Sequence, residues 1–92
     1  MTAVGTQLTL FVTGDAPRSR RARANLAHVL RADGGDMTRV TEVDLLSAPQ
    51  AALDHGIFAS PALMITTVEG DVSLMYGDLS DEDRVVRFLG LD

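Results

Sequence analysis

The fold of this chain is set near its start, by the stretch Leu8-Thr9-Leu10-Phe11-Val12-Thr13-Gly14-Asp15-Ala16-Pro17. The first six of these residues are apolar or β-branched, which is typical of a buried strand, and we predict a strand over residues 7–13. Gly14-Asp15 interrupts the run. A helix is predicted from Ala16, with Asp15 as its capping residue and Pro17 in the first turn, where the missing N–H is tolerated.

The next segments complete a β-α-β unit. The predicted helix stops at Asp33-Gly34-Gly35, and residues 38–46 read as a second strand. Two strands joined through a helix are expected to be parallel, with a right-handed crossover. The helix carries one apolar stripe at helical spacing, formed by Ala22, Leu26, Val29 and Leu30.

A short helix and a hairpin follow the β-α-β unit. The short helix is predicted over residues 50–54, after Ser47-Ala48-Pro49, and it ends near Gly56. Residues 61–68 and 72–76 read as two further strands. The turn Glu69-Gly70-Asp71 between them predicts that the two strands pair as a hairpin.

The last helix has a strong start signal. It is predicted from Ser80-Asp81-Glu82-Asp83, with Ser80 as the cap and a carboxylate at the capping-box position, and it ends at Gly90. The resulting order is βαβαββα. This predicts a single α/β domain over residues 1–92, with a mixed four-stranded sheet that carries helices on both faces.

This order resembles a thioredoxin-like domain, and composition then limits its chemistry. Thioredoxin-type enzymes carry Cys-X-X-Cys at the first strand-to-helix turn, which reads Asp15-Ala16-Pro17-Arg18 here. The chain has no cysteine, and because a thiolate is the nucleophile of dithiol chemistry, redox function is excluded. Thioredoxin-like folds also hold a cis proline at the start of the third strand, so Ser60-Pro61 is predicted to be cis.

Other site chemistries have little support. His28 and His55 lack a partner at metal-ligand spacing, and the serines do not form a Ser/His/Asp pattern. We therefore expect no catalytic residue, metal or cofactor, and we expect His28 to be partly buried beside the apolar stripe. The net charge of −5 argues against nucleic acid as a partner. No apolar run reaches the roughly 18–20 residues of a membrane span, and no cleavable leader is evident, so the cytoplasm is the expected location.

Positive charge is concentrated in the first part of the chain. Residues 1–39 carry a net charge of +3, and residues 40–92 carry −8. A solvated helix face is one interpretation of this pattern. However, cations near a helix N-terminus oppose the helix dipole, and arginine suits bidentate contact with carboxylates. A partner-facing role on the solvent side of the helix is the other interpretation of the dense run Arg18, Arg20, Arg21 and Arg23.

Four segments, read together, are similar to one known family. They are residues 10–19, residues 43–46 with Pro49-Gln50, residues 57–63, and Gly77-Asp78-Leu79-Ser80-Asp81. They resemble the circadian clock protein KaiB family, and the similarity extends from Leu8 to Asp92. The residue types at turns and helix starts, together with this resemblance, indicate structural roles for Gly14, Pro61, Gly77, Asp78 and Ser80.

The resemblance implies a non-enzymatic partner protein. Members of the family bind KaiC, a ring-shaped P-loop ATPase, and can displace a sensor histidine kinase that carries a KaiB-like domain. They exchange between a tetrameric homo-oligomer and a thioredoxin-like monomer, which differ in the C-terminal half. We expect the thioredoxin-like arrangement here. On this interpretation the expected partner-binding residues are Arg18, Arg21, Arg23, Arg39 and Thr41.

Some family positions differ in this chain, and three function classes remain open. Other members of the family carry a small residue and a lysine on the partner-facing second strand, where this chain has Arg39 and Thr41. Another lysine of the family, before the Ser/Thr-Pro step, is replaced here by Gly56. The leading hypothesis is an adaptor for a KaiC-like ATPase. The alternative is a thioredoxin-like domain that recognises a histidine kinase or another signalling protein. A glutathione- or peroxide-handling enzyme is the third class, and it is disfavoured because the sequence shows no nucleophile or metal set.

Overall fold

The computed structural model describes residues 6–91, and within them the predicted order βαβαββα is confirmed. The strand order is β2-β1-β3-β4, with β1 parallel to β2 and antiparallel to β3, and β3 antiparallel to β4. The elements are β1 (Gln7–Val12), α1 (Pro17–Ala32), a 3₁₀ turn (Met37–Arg39), β2 (Val40–Asp44), α2 (Gln50–His55), β3 (Ala62–Thr66), β4 (Val72–Tyr76) and α3 (Glu82–Leu89).

The sheet separates two apolar clusters in the described part of the chain. On one face, Leu8, Leu10 and Val12 of β1 pack against α1 and α3. On the other face, Phe11 packs with Ile57, with Met64 of β3 and with apolar residues of α2. Side chains alternate between the faces of a strand, so β1 supplies both clusters. The expectation of helices on both faces is confirmed, and the predicted stripe of α1 is buried.

The hairpin confirms the thioredoxin-like arrangement, since residues 62–66 and 72–76 are strands. The Ser60-Pro61 peptide bond is cis, as predicted. Among the helices of residues 6–91, none combines the length and apolar character needed to cross a membrane.

The second strand is shorter than the predicted span of residues 38–46. At its start, the Asp36 carboxylate accepts a hydrogen bond from the Thr38 N–H at 2.9 Å, which folds residues 37–39 into the 3₁₀ turn. At its end, the Asp44 carboxylate accepts from the Leu46 N–H at 2.9 Å and turns the chain out of the sheet. Aspartates commonly form such local turns, which compete with strand pairing.

Both predicted helix caps were wrong. Ala16, not Asp15, occupies the cap position of α1, and within residues 6–91 no side chain caps that helix. The carboxylate of Asp15 instead lies 3.6 Å from the Arg23 guanidinium. The cap of α3 is Asp81, which accepts from the Arg84 N–H at 3.2 Å. Ser80 lies one residue earlier and hydrogen-bonds Asp78, so the predicted capping box does not form.

His28 is exposed, contrary to the expectation of partial burial. Its Nε2 lies 2.9 Å from Oε1 of Glu82, which links the solvent sides of α1 and α3. The apolar stripe of α1 faces the sheet, and His28 lies outside it.

Candidate protein-interaction surface

Three loops meet at one end of the sheet, where the strands begin or terminate. The strands β1 and β2 end there, β3 begins there and β4 ends there, because the register pairs Val12 with Asp44, Phe11 with Ala62, and Ala62 with Tyr76. We call this region the carboxyl-end surface. It comprises residues 13–16, 44–47 and 57–61, and the N-terminus of α1 begins at it.

Gly14 fits a tight junction in this surface. Its φ of 49° is in the left-handed region, which favours glycine. A Cβ atom at this position would lie 2.8 Å from Cδ1 of Leu46, too close for a side chain without a shift. The Gly14 carbonyl accepts a hydrogen bond from Nη2 of Arg23 at 2.8 Å. The structural role expected for Gly14 therefore has a steric basis.

Asp44 joins two of the loops through one carboxylate oxygen. Its Oδ1 accepts from the Leu46 N–H and the Gly14 N–H, both at 2.9 Å. These backbone donors, the Leu46 N–H first, lower the pKa of Asp44 below its usual value. The charged carboxylate is thus favoured in the folded state.

We predict that Asp44→Asn lowers the urea midpoint of unfolding at pH 7. A folded-state pKa below the unfolded value of about 4 means that the charged form stabilises the fold above pH 4. That contribution is lost as the pH falls through the lower, folded-state pKa. The midpoints of parent and variant should therefore converge below pH 4. A difference that stays constant between pH 7 and pH 3 contradicts the assigned role of the charge.

Hydroxyl groups join the loop after β1 to the loop before β3 and to α1. The Thr13 hydroxyl and the Ser60 hydroxyl hydrogen-bond to each other across the turn before the cis proline. The buried Ser19 hydroxyl accepts from the Thr13 N–H at 3.0 Å. These contacts fix the loops to one another, so the arrangement is suited to presenting a stable surface.

Two large apolar side chains are presented on this surface, and the sequence interpretation missed both. Leu46 is 70 % exposed and Phe58 is 92 % exposed. The Tyr76 hydroxyl accepts from the Phe58 N–H at 3.3 Å and donates to the Gly56 carbonyl at 3.4 Å, which anchors the loop that carries Phe58. The sequence hid both, because Leu46 lies in the apolar run predicted as the second strand and Phe58 adjoins Ile57, which is buried.

The predicted arginines of α1 lie beside this surface, but two of them form ion pairs within the chain. Nε of Arg21 lies 3.1 Å from Oδ2 of Asp78. Nε of Arg23 donates to Oε1 of Glu42 at 2.7 Å, and its side chain is only 29 % exposed. Arg23 was expected on the solvent side of α1; it lies outside the buried face of that helix but is ion-paired with Glu42 of β2. Arg18 is exposed next to Gly77.

Arg39 and Thr41 lie at the opposite end of the sheet. The Arg39 side chain packs beside Gly35, which follows the C-terminal end of α1. Thr41 is exposed on β2 and is paired in register with Thr9. The five predicted partner-binding residues therefore do not form one continuous patch.

Gly77, Asp78 and Ser80 form a braced loop before α3. Gly77 has a φ of 114°, and the Asp78 carboxylate accepts from the Ser80 N–H at 3.1 Å. The Ser80 hydroxyl and then the Arg21 guanidinium lower the pKa of Asp78. Nδ2 of Asn25 donates to the Asp78 carbonyl at 2.8 Å, so α1 holds the loop at two points.

Comparison with known proteins assigns the family. The family model described as the KaiB domain matches residues 9–91. The chain belongs to the KaiB family. Circadian clock protein KaiB3 of Synechocystis sp. strain PCC 6803 is 35 % identical over 92 % of this chain and 80 % of its own length. Circadian clock oscillator protein KaiB of Acaryochloris marina is 36 % identical over 92 % of this chain and 79 % of its own length.

Solved structures of distant sequence share the fold of this KaiB family member. The N-terminal domain of Synechococcus elongatus SasA aligns over 100 % of this chain and 90 % of its own, with a TM-score of 0.69 and 21 % identity. Mitochondrial thioredoxin 3 of Saccharomyces cerevisiae aligns over 94 % of this chain and 77 % of its own, with a TM-score of 0.75 and 12 % identity. The predicted thioredoxin-like fold is confirmed.

Proposed function

We propose that this chain is a non-enzymatic adaptor that binds a KaiC-like P-loop ATPase and modulates its phosphorylation or signalling output. One observation carries the proposal. A KaiB family domain has the thioredoxin-like fold, while its strand-to-helix turn reads Asp15-Ala16-Pro17-Arg18 in place of a dithiol. A surface that is fixed in place but has lost the redox nucleophile is suited to recognition.

The contacts proposed at the carboxyl-end surface are apolar at the centre and cationic at the side. Exposed Leu46 and Phe58 can insert into a partner, because large apolar and aromatic side chains dominate the centres of interfaces. Arg18 and the ion-paired Arg21 and Arg23 would meet acidic groups at the rim, where charge mainly sets the rate of association and its salt dependence. Arg39 and Thr41 are proposed as a second, separate contact region.

The ion pairs decide how the arginines should be tested. Reversing Arg23 to a carboxylate would place it against Glu42 and Asp15 and would disturb the fold as well as the interface. Neutral variants such as Arg21→Gln and Arg23→Gln separate the two effects better. Their association rates should fall less steeply with added salt than the parent's, because fewer charges contribute to steering.

The proposal is tested with the KaiC-like ATPase of the same host. The purified chain is mixed with the ATPase and examined by sedimentation velocity, and the phosphorylation of the ATPase is followed over time with and without the chain. We expect a co-sedimenting complex and a changed phosphorylation time course. Absence of a complex at about 100 μM, which bounds the affinity near the millimolar range or weaker, would overturn the proposal.

A sensor histidine kinase is the second candidate partner. The chain shares its thioredoxin-like fold with the SasA N-terminal domain, and two domains of one shape can either compete for one surface or associate with each other. Direct binding of the chain to the kinase, without the ATPase, would support this function. Displacement of the kinase from the ATPase would support the adaptor.

A further inference from the structure

In the sheet formed by residues 6–91, β4 is an edge strand with outward-facing backbone groups. The Gly77 N–H donates to the Pro61 carbonyl at 3.0 Å, and the Thr67 N–H donates to the Asp71 carbonyl at 2.9 Å. In an antiparallel pair the bonded positions alternate, so the odd-numbered residues 71–77 direct their polar backbone groups toward β3. Val72, Leu74 and Tyr76 therefore direct theirs away from the sheet.

This edge lacks the usual protection against pairing with another strand. The sequence of β4, Val-Ser-Leu-Met-Tyr, contains no charge and no proline. The opposite edge strand, β2, carries Glu42 and Asp44. Val72 is 54 % exposed and Tyr76 is 40 % exposed on the edge. An uncharged, exposed edge strand is a template for a further strand.

The outward groups are self-complementary. If two copies of β4 meet antiparallel about Leu74, Leu74 faces Leu74 and each Val72 faces Tyr76 of the other copy, and all of these positions have outward backbone groups. A β-branched residue opposite an aromatic residue is among the favourable cross-strand pairs. A twofold axis through Leu74 makes the contact closed, so it joins two copies only.

Charge supports the same register. The next pair along the ladder would be Asp71 of one copy and Gly77 of the other. Nη2 of Arg18 lies 3.8 Å from the position that a Cβ atom of Gly77 would take. Asp71 and Gly77 lie directly before and after β4, at an even number of residues from Met75, so they are on the same face of the sheet as Met75. Met75 packs against the apolar cluster of α1 and α3, so this is the face that α1 covers. Within the described residues, no ion pair is formed by Arg18 or Asp71.

We propose that two copies of this chain associate through β4 and that Asp71 of each copy forms an ion pair with Arg18 of the other. The pair cannot form within one copy, since Gly77 is six positions after Asp71 and lies about 20 Å from it along the strand. A contact between two five-residue strands is small, so the dimer is weak. This association goes beyond the proposed function, and its test uses the chain alone.

The ion pair is tested by charge reversal and mixing. Sedimentation of the parent from about 10 μM to 1 mM at low salt should show a dimeric fraction that increases with concentration. Asp71→Arg and Arg18→Asp should each weaken association at least tenfold, because like charges then meet twice. An equimolar mixture of the two variants should restore it, since both contacts in the mixed dimer join opposite charges. The matched controls Asp83→Arg and Arg20→Asp should associate like the parent.

Two results would overturn the proposal: a parent that stays monomeric up to 1 mM, or a mixture that associates no better than either variant alone. Amide hydrogen exchange on the parent tests the register without any substitution. Raising the concentration should slow exchange at Val72, Leu74 and Tyr76 and leave Ser73 and Met75 unchanged, because their N–H groups already face β3. If the exchange rates of all five residues stay the same as the concentration is raised, the proposed pairing is also ruled out.

Discussion

Phe11→Ala is expected to lower the free energy of unfolding by about 3–5 kcal/mol. Phe11 is fully buried near the end of β1, where it packs with Ile57, Ala62 and Met64, and its ring centroid lies 5.5 Å from that of His55. Truncation removes the largest side chain of this cluster and leaves a cavity that the surrounding strands cannot fill. A domain of 92 residues is stabilised by only about 5–14 kcal/mol, so the loss is a large fraction of the total.

The matched control is Phe58, which directly follows Ile57 of the same apolar cluster in the sequence. Phe58→Ala should change the free energy of unfolding by no more than about 0.5 kcal/mol, because its side chain is 92 % exposed. Urea denaturation of both variants at pH 7 makes the comparison. Equal losses for the two variants would mean that the second apolar cluster is not centred on Phe11.

Phe58→Asp is expected to weaken binding to the KaiC-like ATPase by about 30-fold or more. An aromatic anchor at the centre of an interface contributes about 2 kcal/mol or more, and a buried carboxylate adds a desolvation penalty. The backbone of the loop is held by Tyr76, so the substitution should leave the fold intact.

Val68→Asp provides the matched control for binding. Val68 is also exposed, but it lies in the turn between β3 and β4, at the opposite end of the sheet. The dissociation constant of the Val68→Asp variant for the KaiC-like ATPase, measured by fluorescence anisotropy with the labelled chain, should equal that of the parent. Equal weakening by both variants would place the contact elsewhere or indicate a general effect of charge.

The sequence was sufficient for the order of elements but not for their ends. Apolar periodicity and glycine stops identified every helix and strand, because those signals depend on local chain geometry. The caps at Asp15 and Ser80 were each misplaced by one residue. At α3, Ser80 and Asp81 can both cap the helix, and the local hydrogen bond between Ser80 and Asp78 leaves Asp81 as the cap. At α1, no side chain of the described residues caps the helix, and the Asp15 carboxylate lies near the Arg23 guanidinium instead.

The interaction surface was harder to predict for the same reason. The run of arginines was visible in the sequence, but the pairing of Arg23 with Glu42 depends on the packing of α1 against β2, which no local pattern encodes. Phe58 resembles a core residue in composition. Its exposure follows from the loop that Tyr76 anchors from β4, 18 residues along the chain.

The proposed function requires that an ATPase binds at the carboxyl-end surface. Amide hydrogen exchange of the chain, with and without a saturating KaiC-like ATPase, measures this binding residue by residue. We expect slower exchange in residues 13–16, 44–47 and 57–60, with the turn at residues 67–71 unchanged. Unchanged exchange in all three loops, or protection confined to residues 67–71, would contradict it.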